Sequence, residues 1–256
     1  MSEFEDHRAD GGLGAKLRRR LVRLYRRRGA SFRPDRPMVT FSFDDAPASA
    51  FRAGAAVLES YNCPGVFYVS AGLLDRRSPV GLIGSDRDIA KAVRRGHEIG
   101  CHTYGHLDCA QASESELAAD FARNAEALQA LGAPEPPATF AYPYGEVTPA
   151  AKRLAASRFQ LARALHPGLI DQGVDLNQAP SVRVEGAKGE ACAMDWLKRA
   201  EARGAWIFFH CHGVQEGGSE WSLDVNAFRR IVGEAVARKF DVVTAAEGAR
   251  RMRSAT

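Results

Sequence analysis

A chain of 256 residues, 45% hydrophobic and 26% charged, has the composition of a soluble globule and the length of one α/β barrel-sized domain or two small ones. No run approaches the ~18 apolar residues of a membrane span. The polar start MSEFEDHRADGG lacks the apolar core of a secretory signal, so a cytoplasmic protein is expected. The net charge of +4 hides an asymmetry. Residues 1–37 carry eleven Lys/Arg and five Asp/Glu, a net of +6, which leaves −2 for the remainder.

The chain therefore divides into a basic N-terminal segment, 1–37, and a domain, 38–256. Within the segment, LGAKLRRRLVRLYRRRGA sets Leu13, Leu17, Leu21 and Leu24 at helical spacing among arginines, predicting a basic amphipathic helix that ends near Gly29. Such a helix over residues 13–28 either meets an anionic membrane surface or acidic polymer, or docks its leucine stripe on the domain. The first option would station the protein at the inner face of the membrane. SFRPDRP reads as a stiff linker.

From residue 38 apolar runs alternate with helical patterns. MVTFSF, GVFYVS, HEIGCH, TFAYP, FQLARAL, SVRV, WIFFHC and FDVVTA read as strands. Helices are predicted over 49–61, 85–95, 113–131, 148–157, 189–203 and 224–238. The longest opens with Ser113 and Glu116 in capping-box spacing and closes on Gly132. Regular β–α alternation implies a parallel sheet covered by helices: an α/β fold, a distorted (β/α) barrel of about seven strands, or else an open doubly wound sheet. Five cysteines, Cys63, Cys101, Cys109, Cys192 and Cys211, without a CxxC pair, read as reduced thiols.

In such a fold the strand ends meet on one face, and chemistry-bearing residues stand at several of them. The first strand ends in Asp44-Asp45, the third in CHTYGH with His102 and His106, and a late one in WIFFHCHGV with His210 and His212. Histidines four apart can share a metal ion, and an Asp from another strand end would complete a His2Asp set with coordination positions open, the pattern of a catalytic site. Alone, an Asp-Asp pair reads as a helix cap and a turn residue. Beside the histidines, one carboxylate holds the ion and its neighbour serves as a base.

FSFDDAP, HTYGH, FAYPYG and FFHCHGV, in that order, resemble the polysaccharide deacetylases, also called the NodB-homology domain or carbohydrate esterase family four, over residues 38 to 248. The resemblance implies metal-dependent removal of acetyl groups from N-acetylglucosamine polymers, releasing acetate. Bacterial exopolysaccharide, including adhesive holdfast, chitin oligomers and peptidoglycan are the candidate substrates. It implies Asp44 as general base, Asp45, His102 and His106 as metal ligands, and Tyr144, after Pro143, as a backbone N–H donor to the oxyanion. It places the general acid at His212, with His210 as competitor.

Zn2+ suits the nitrogen and oxygen donors, as do Co2+ and Mn2+. Three departures stand out. Ala46 replaces the usual Gly of the first motif, Ala141 replaces an orienting Arg that Arg163 of FQLARAL would supply, and the supporting Asp-Trp pair has no counterpart, Asp195-Trp196 lying in a helical pattern. The alternative readings are a small-amide hydrolase similar to allantoinase and a carbohydrate-binding relative without turnover. Nucleic acid is not an expected partner, because the arginines lack interleaved aromatics. Trp221 reads either as a sugar platform or as packing. Oligomeric state is not legible.

Overall fold

The computed structural model describes residues 21–133 and 136–253. Its strands in chain order are β1 (Met38–Phe43), β2 (Val66–Val69), β3 (Arg77–Ser78), β4 (Gly81–Leu82), β5 (Glu98–Cys101), β6 (Thr139–Ala141), β7 (Leu161–Arg163), β8 (Val182–Arg183), β9 (Trp206–Cys211), β10 (Gly213–Gln215), β11 (Ser222–Asp224) and β12 (Asp241–Val242). The helices are α1 (Ala55–Ser60, preceded by a π-turn), α2 (Asp86–Arg94), α3 (Glu114–Ala130), α4 (Pro149–Arg158), α5 (Gly189–Arg203), α6 (Val225–Ala237) and α7 (Ala245–Arg251). The eight strand-like runs all enter one parallel sheet, ordered β7-β6-β5-β2-β1-β9-β8, with β12 beside the start of β1. This curled half-barrel is the α/β architecture expected.

Alternation along the strands separates two faces. Val39, Phe41 and Phe43 of β1 point outward with Ile207, Phe209 and Cys211 of β9, into a core shared with Phe228 and Ile231 of α6. Phe43 and Phe51 both stack on Phe67, with ring centroids 5.0 and 4.4 Å apart. Each such ring contributes about 1.5–3 kcal/mol by leaving water. Met38, Val66, Tyr68, Trp206 and Phe208 point inward to a second cluster. The inward register continues into the site: 38, 40, 42 leads to Asp44, and 206, 208 leads to His210 and His212.

Between the edge strands β7 and β8, the stretch 176–181 fills the gap without forming a strand. The Ala179 N–H donates to the Ala162 carbonyl at 2.8 Å, and the Ala164 N–H to the Ala179 carbonyl at 2.9 Å. Both backbone polar groups of Ala179 are thereby satisfied, and the stretch joins β7 to the start of β8. The elements not anticipated are short: α7, the β3–β4 hairpin and the β10–β11 pair. Two- and three-residue strands carry no period long enough to read.

Of the predicted basic helix, residues 13–20 lie outside the described residues. The helical conformation ends at Val22 rather than near Gly29, giving way to a turn in which the Leu24 and Tyr25 N–H groups donate to the Leu21 and Val22 carbonyls, and the leucine stripe is not docked. Val22 is buried, whereas Leu21 and Leu24 are 57% and 70% exposed. The fixing contacts are polar: buried Lys152 donates to the Val22 carbonyl at 2.8 Å, and Arg28 donates to the Phe159 and Gln160 carbonyls beyond the end of α4. A cation there satisfies carbonyls that the helix leaves without partners. Within the stretch expected to act as a linker, Arg33 pairs with Asp171 at 2.9 Å and Arg36 with Asp241 at 3.5 Å. All five cysteines are free thiols.

Candidate active site

At the carboxyl end of the sheet, Asp45, His102 and His106 come together. The Asp45 Oδ1 lies 3.2 Å from His106 Nε2 and 3.6 Å from His102 Nε2. One donor atom from each of the three falls within 4.8 Å of the others, so the set can hold a metal ion. That Oδ1 is buried and accepts no hydrogen bond. A buried carboxylate oxygen without a donor is costly unless a cation meets it.

The histidines suit the same purpose. His102 Nδ1–H donates to the Ala141 carbonyl at 2.8 Å, which fixes the tautomer and leaves the Nε2 lone pair toward Asp45. Burial, reinforced by the neighbouring His106, depresses its pKa to about 3, so the ring is neutral and free to ligate. His106 Nδ1 sits 3.1 Å from the Tyr144 hydroxyl. The donor set therefore fits a divalent cation of the zinc or cobalt kind.

The supporting loops are held in costly conformations. Asp45, Ala46, Thr103, His106 and Tyr144 all have left-handed backbones, with φ between 45° and 62°. For residues bearing a Cβ this costs of order 1 kcal/mol or more each. Ala46 thus explains why its position favours glycine. Helix α3 secures the histidine loop: Asp120 accepts from the Tyr104 and Gly105 N–H groups, and Asn124 donates to the Val69 carbonyl at 2.9 Å and accepts from the Ala71 N–H at 3.0 Å. Sequence reasoning missed both. The available signal was Asn124 itself, a polar residue on the buried stripe of Leu117, Phe121 and Leu128.

Two charged pairs flank this centre. Asp44 Oδ1 accepts from the guanidinium of fully buried Arg163 at 2.5 Å. The substitution at Ala141 is therefore answered from the adjacent strand, β7. Arg163 also reaches the Ser181 hydroxyl at 3.4 Å. Across the cavity, the His212 ring nitrogen Nδ1 lies 3.0 Å from Glu185 Oε2, which also accepts the His212 backbone N–H at 2.8 Å. Burial opposes charge on His212, but the hydrogen bond to Glu185 and the carboxylates of Glu185, Asp45 and Asp44 outweigh it and raise the pKa. The Glu185 pKa is correspondingly lowered against its own burial. Glu185 was not singled out from sequence, although it ends the SVRV strand as Asp44 ends β1.

His210 lies in the same cavity with the opposite electrostatics. The Ser181 hydroxyl donates to the Ala164 carbonyl at 2.7 Å and so accepts from His210 Nδ1–H at 2.9 Å. Burial and the nearby Arg163 cation drop the His210 pKa to about 3. It is a neutral ring.

The two aspartates, the four histidines and Glu185 line a cavity of about 310 Å3 together with Tyr142, Tyr144, Leu165, Arg183 and Trp221, and with Pro79 and Val80 of the β3–β4 hairpin. That is near the lower end of the ~300–1,000 Å3 usual for small-ligand sites. Tyr144 projects into it from a left-handed turn. Pro143 is buried at the first position of that turn and is not among the lining residues, so it shapes the loop rather than the cavity. Trp221 meets His212 edge-on with centroids 5.2 Å apart, and Arg183 lies 5.0 Å over the tryptophan ring. Asp195 pairs with Arg199 on the surface of α5, away from the cavity.

A curled parallel sheet that gathers a buried Asp-His-His centre between an Asp–Arg and a His–Glu pair defines a hydrolase of the β/α half-barrel class. The polysaccharide deacetylase family model matches residues 32–162, and the chain belongs to that family. No curated protein matches the sequence. A Mycobacterium smegmatis protein described as a polysaccharide deacetylase shares 20% identity, covering 89% of this chain and 96% of its own, with a TM-score of 0.67. A family 4 acetyl xylan esterase from Clostridium thermocellum, in complex with a cobalt ion, shares 19% over 82% of this chain and 89% of its own, at 0.58. The chitin deacetylase of the fungal pathogen Colletotrichum lindemuthianum shares 14% over 84% and 89%, at 0.57. At these identities the likeness is one of fold.

Proposed function

We propose that the protein removes acetyl groups by metal-dependent hydrolysis from an N-acetylglucosamine-containing polysaccharide or oligosaccharide, releasing acetate. The observation that carries this reading is the orphaned, buried Asp45 Oδ1 facing His102 and His106. Those three residues would hold a divalent cation, most suitably Zn2+ with Co2+ or Mn2+ as substitutes. The cation supplies Lewis acidity and an activated water.

The chain's own groups divide the proton traffic. Asp44 accepts the proton of the attacking water, and Arg163 holds its carboxylate in line. The backbone N–H of Tyr144 is the candidate donor to the developing oxyanion, a contribution commonly worth ~2.7–4 kcal/mol. His212, whose pKa Glu185 raises, delivers a proton to the departing amine. The neutral ring of His210 is unsuited to that role. The proton accepted on one flank and the proton donated on the other leave acetate and a free amino sugar.

The test is acetate release from N-acetylglucosamine oligomers by the protein as purified, stripped with chelator, and reloaded with zinc or cobalt. Release that depends on metal and is lost in Asp44→Asn is expected. A tightly bound metal without release from any chain length would shift the reading to small amides, and absence of metal binding would overturn it.

A further inference from the structure

The segment 21–30 presents an anomaly that the catalytic reading leaves unused. It is firmly fixed: Val22 is buried, Lys152 holds its carbonyl, and Asp175 accepts the Arg28 N–H at 2.8 Å. Yet it holds Leu21, Leu24 and Tyr25 in water at 57%, 70% and 36% exposure. Exposed Arg23, Arg26 and Arg27 are interleaved with them. Among the described residues no carboxylate pairs with these three arginines, while nearby Asp175, Asp171 and Glu114 are taken by Lys152, Arg33 and Arg153. The sequence adds Lys16 and Arg18 to Arg20 immediately before.

We propose that this face binds an anionic phospholipid surface, the leucines entering the interface and the arginines meeting headgroup phosphates. Exposed leucines flanked by arginines without carboxylate partners, of which Arg27 donates to the Gly173 carbonyl at 2.7 Å, suit that boundary, where apolar and anionic layers adjoin. A second copy of the chain suits it poorly, because a two-fold contact would bring the arginines of both copies together.

The patch also adjoins the cavity. A cleft of about 380 Å3 lined by Arg23, Leu24, Arg27, His166 and Leu169 begins one residue beyond Leu165, which is 40% exposed and lines the catalytic cavity with Tyr144. The docking face and the catalytic cavity are thereby joined through the consecutive residues Leu165 and His166. If the cavity is a deacetylase site, its substrate is met at a membrane surface; the docking itself does not depend on that reading.

The experiment is co-sedimentation of the full chain with vesicles of phosphatidylglycerol and phosphatidylcholine, or of phosphatidylcholine alone, without substrate. Binding to the anionic vesicles alone is expected, with an affinity that falls as salt rises. Leu21→Ser/Leu24→Ser should weaken it by at least about tenfold, and Arg23→Gln by about fivefold, with the melting temperature and metal content unchanged. Equal binding to both vesicle types, no binding, or undiminished binding by the leucine variant would overturn the proposal. So would a leucine variant that loses self-association instead. Because no turnover is measured, a failed deacetylase reading leaves this result intact.

Discussion

His210 and His212 stand two residues apart at the end of one strand, face the same cavity and are both largely buried, yet their pKa values are driven in opposite directions. His210 meets a hydroxyl and a guanidinium, and its pKa falls to about 3. His212 meets the Glu185 carboxylate, and its pKa rises. Position on the strand brings a histidine into the site, whereas the partner reached from β8 or its approach decides what the histidine can do there. The same division separates the two aspartates: Asp44 is satisfied by Arg163, while the Oδ1 of Asp45 is left for a cation.

The largest effects should come from the residues assigned to move protons. Asp44→Asn and His212→Asn are each expected to lower kcat by 10²–10⁴-fold with metal content retained, as for loss of a general base or acid. His210→Asn keeps an amide N–H toward Ser181 and should stay within about tenfold of the parent, below the range of a lost proton donor. Steady-state kinetics beside metal analysis checks all three. If His210→Asn were the more damaging, the assignment of the two rings would be reversed.

Next in size is the partner. Glu185→Gln retains the shape but not the charge, and kcat should fall by about 10²-fold, an effect on the scale of weakening one acid–base group. Ser181→Ala removes a neutral acceptor from His210 and should cost about 1–3 kcal/mol of stability, the penalty for a buried donor left unpaired. Its kcat loss should be far smaller than that of Glu185→Gln. Denaturant titration and rate measurements on the two variants separate these outcomes.

The comparison also marks what the sequence could convey. Asp44 was legible because it ends an apolar run whose alternation fixes the inward face, His102 and His106 because of their four-residue spacing, and Asp45 and His212 through the motifs they stand in. Arg163 was legible as a charge inside such a run. Glu185 was not: it follows a two-residue strand, and its link to His212 spans 27 positions along the chain. Asp120 and Asn124 were not singled out, although Asn124 stands on the buried stripe of its helix. The parallel sheet followed from the β–α rhythm, but the link from β7 to β8 through residues 176–181 did not, since backbone hydrogen bonds from an irregular stretch leave no period.

The smallest predicted effect is also the most direct probe of the two opposed pKa shifts. A histidine whose folded pKa lies near 3 and whose unfolded pKa lies near 6.5 binds no proton when folded but binds one when unfolded as pH falls below about 6.5. Stability contributed by neutral His210 is then lost by about 1.4 kcal/mol per pH unit, reaching ~2 kcal/mol at pH 5. His212 has the opposite sign: its raised pKa contributes stability that is complete below about 6.5 and disappears as pH climbs through the folded value. In metal-free protein, replacing His210 by Asn should therefore flatten the loss of stability between pH 7 and pH 5. Replacing His212 by Asn should steepen it only in the upper part of that interval, above about pH 6.5. Urea unfolding at pH 5, 6 and 7 measures both slopes. Parallel curves for the two variants would mean that the partners do not set the two rings apart, and the division of roles between them would fail with it.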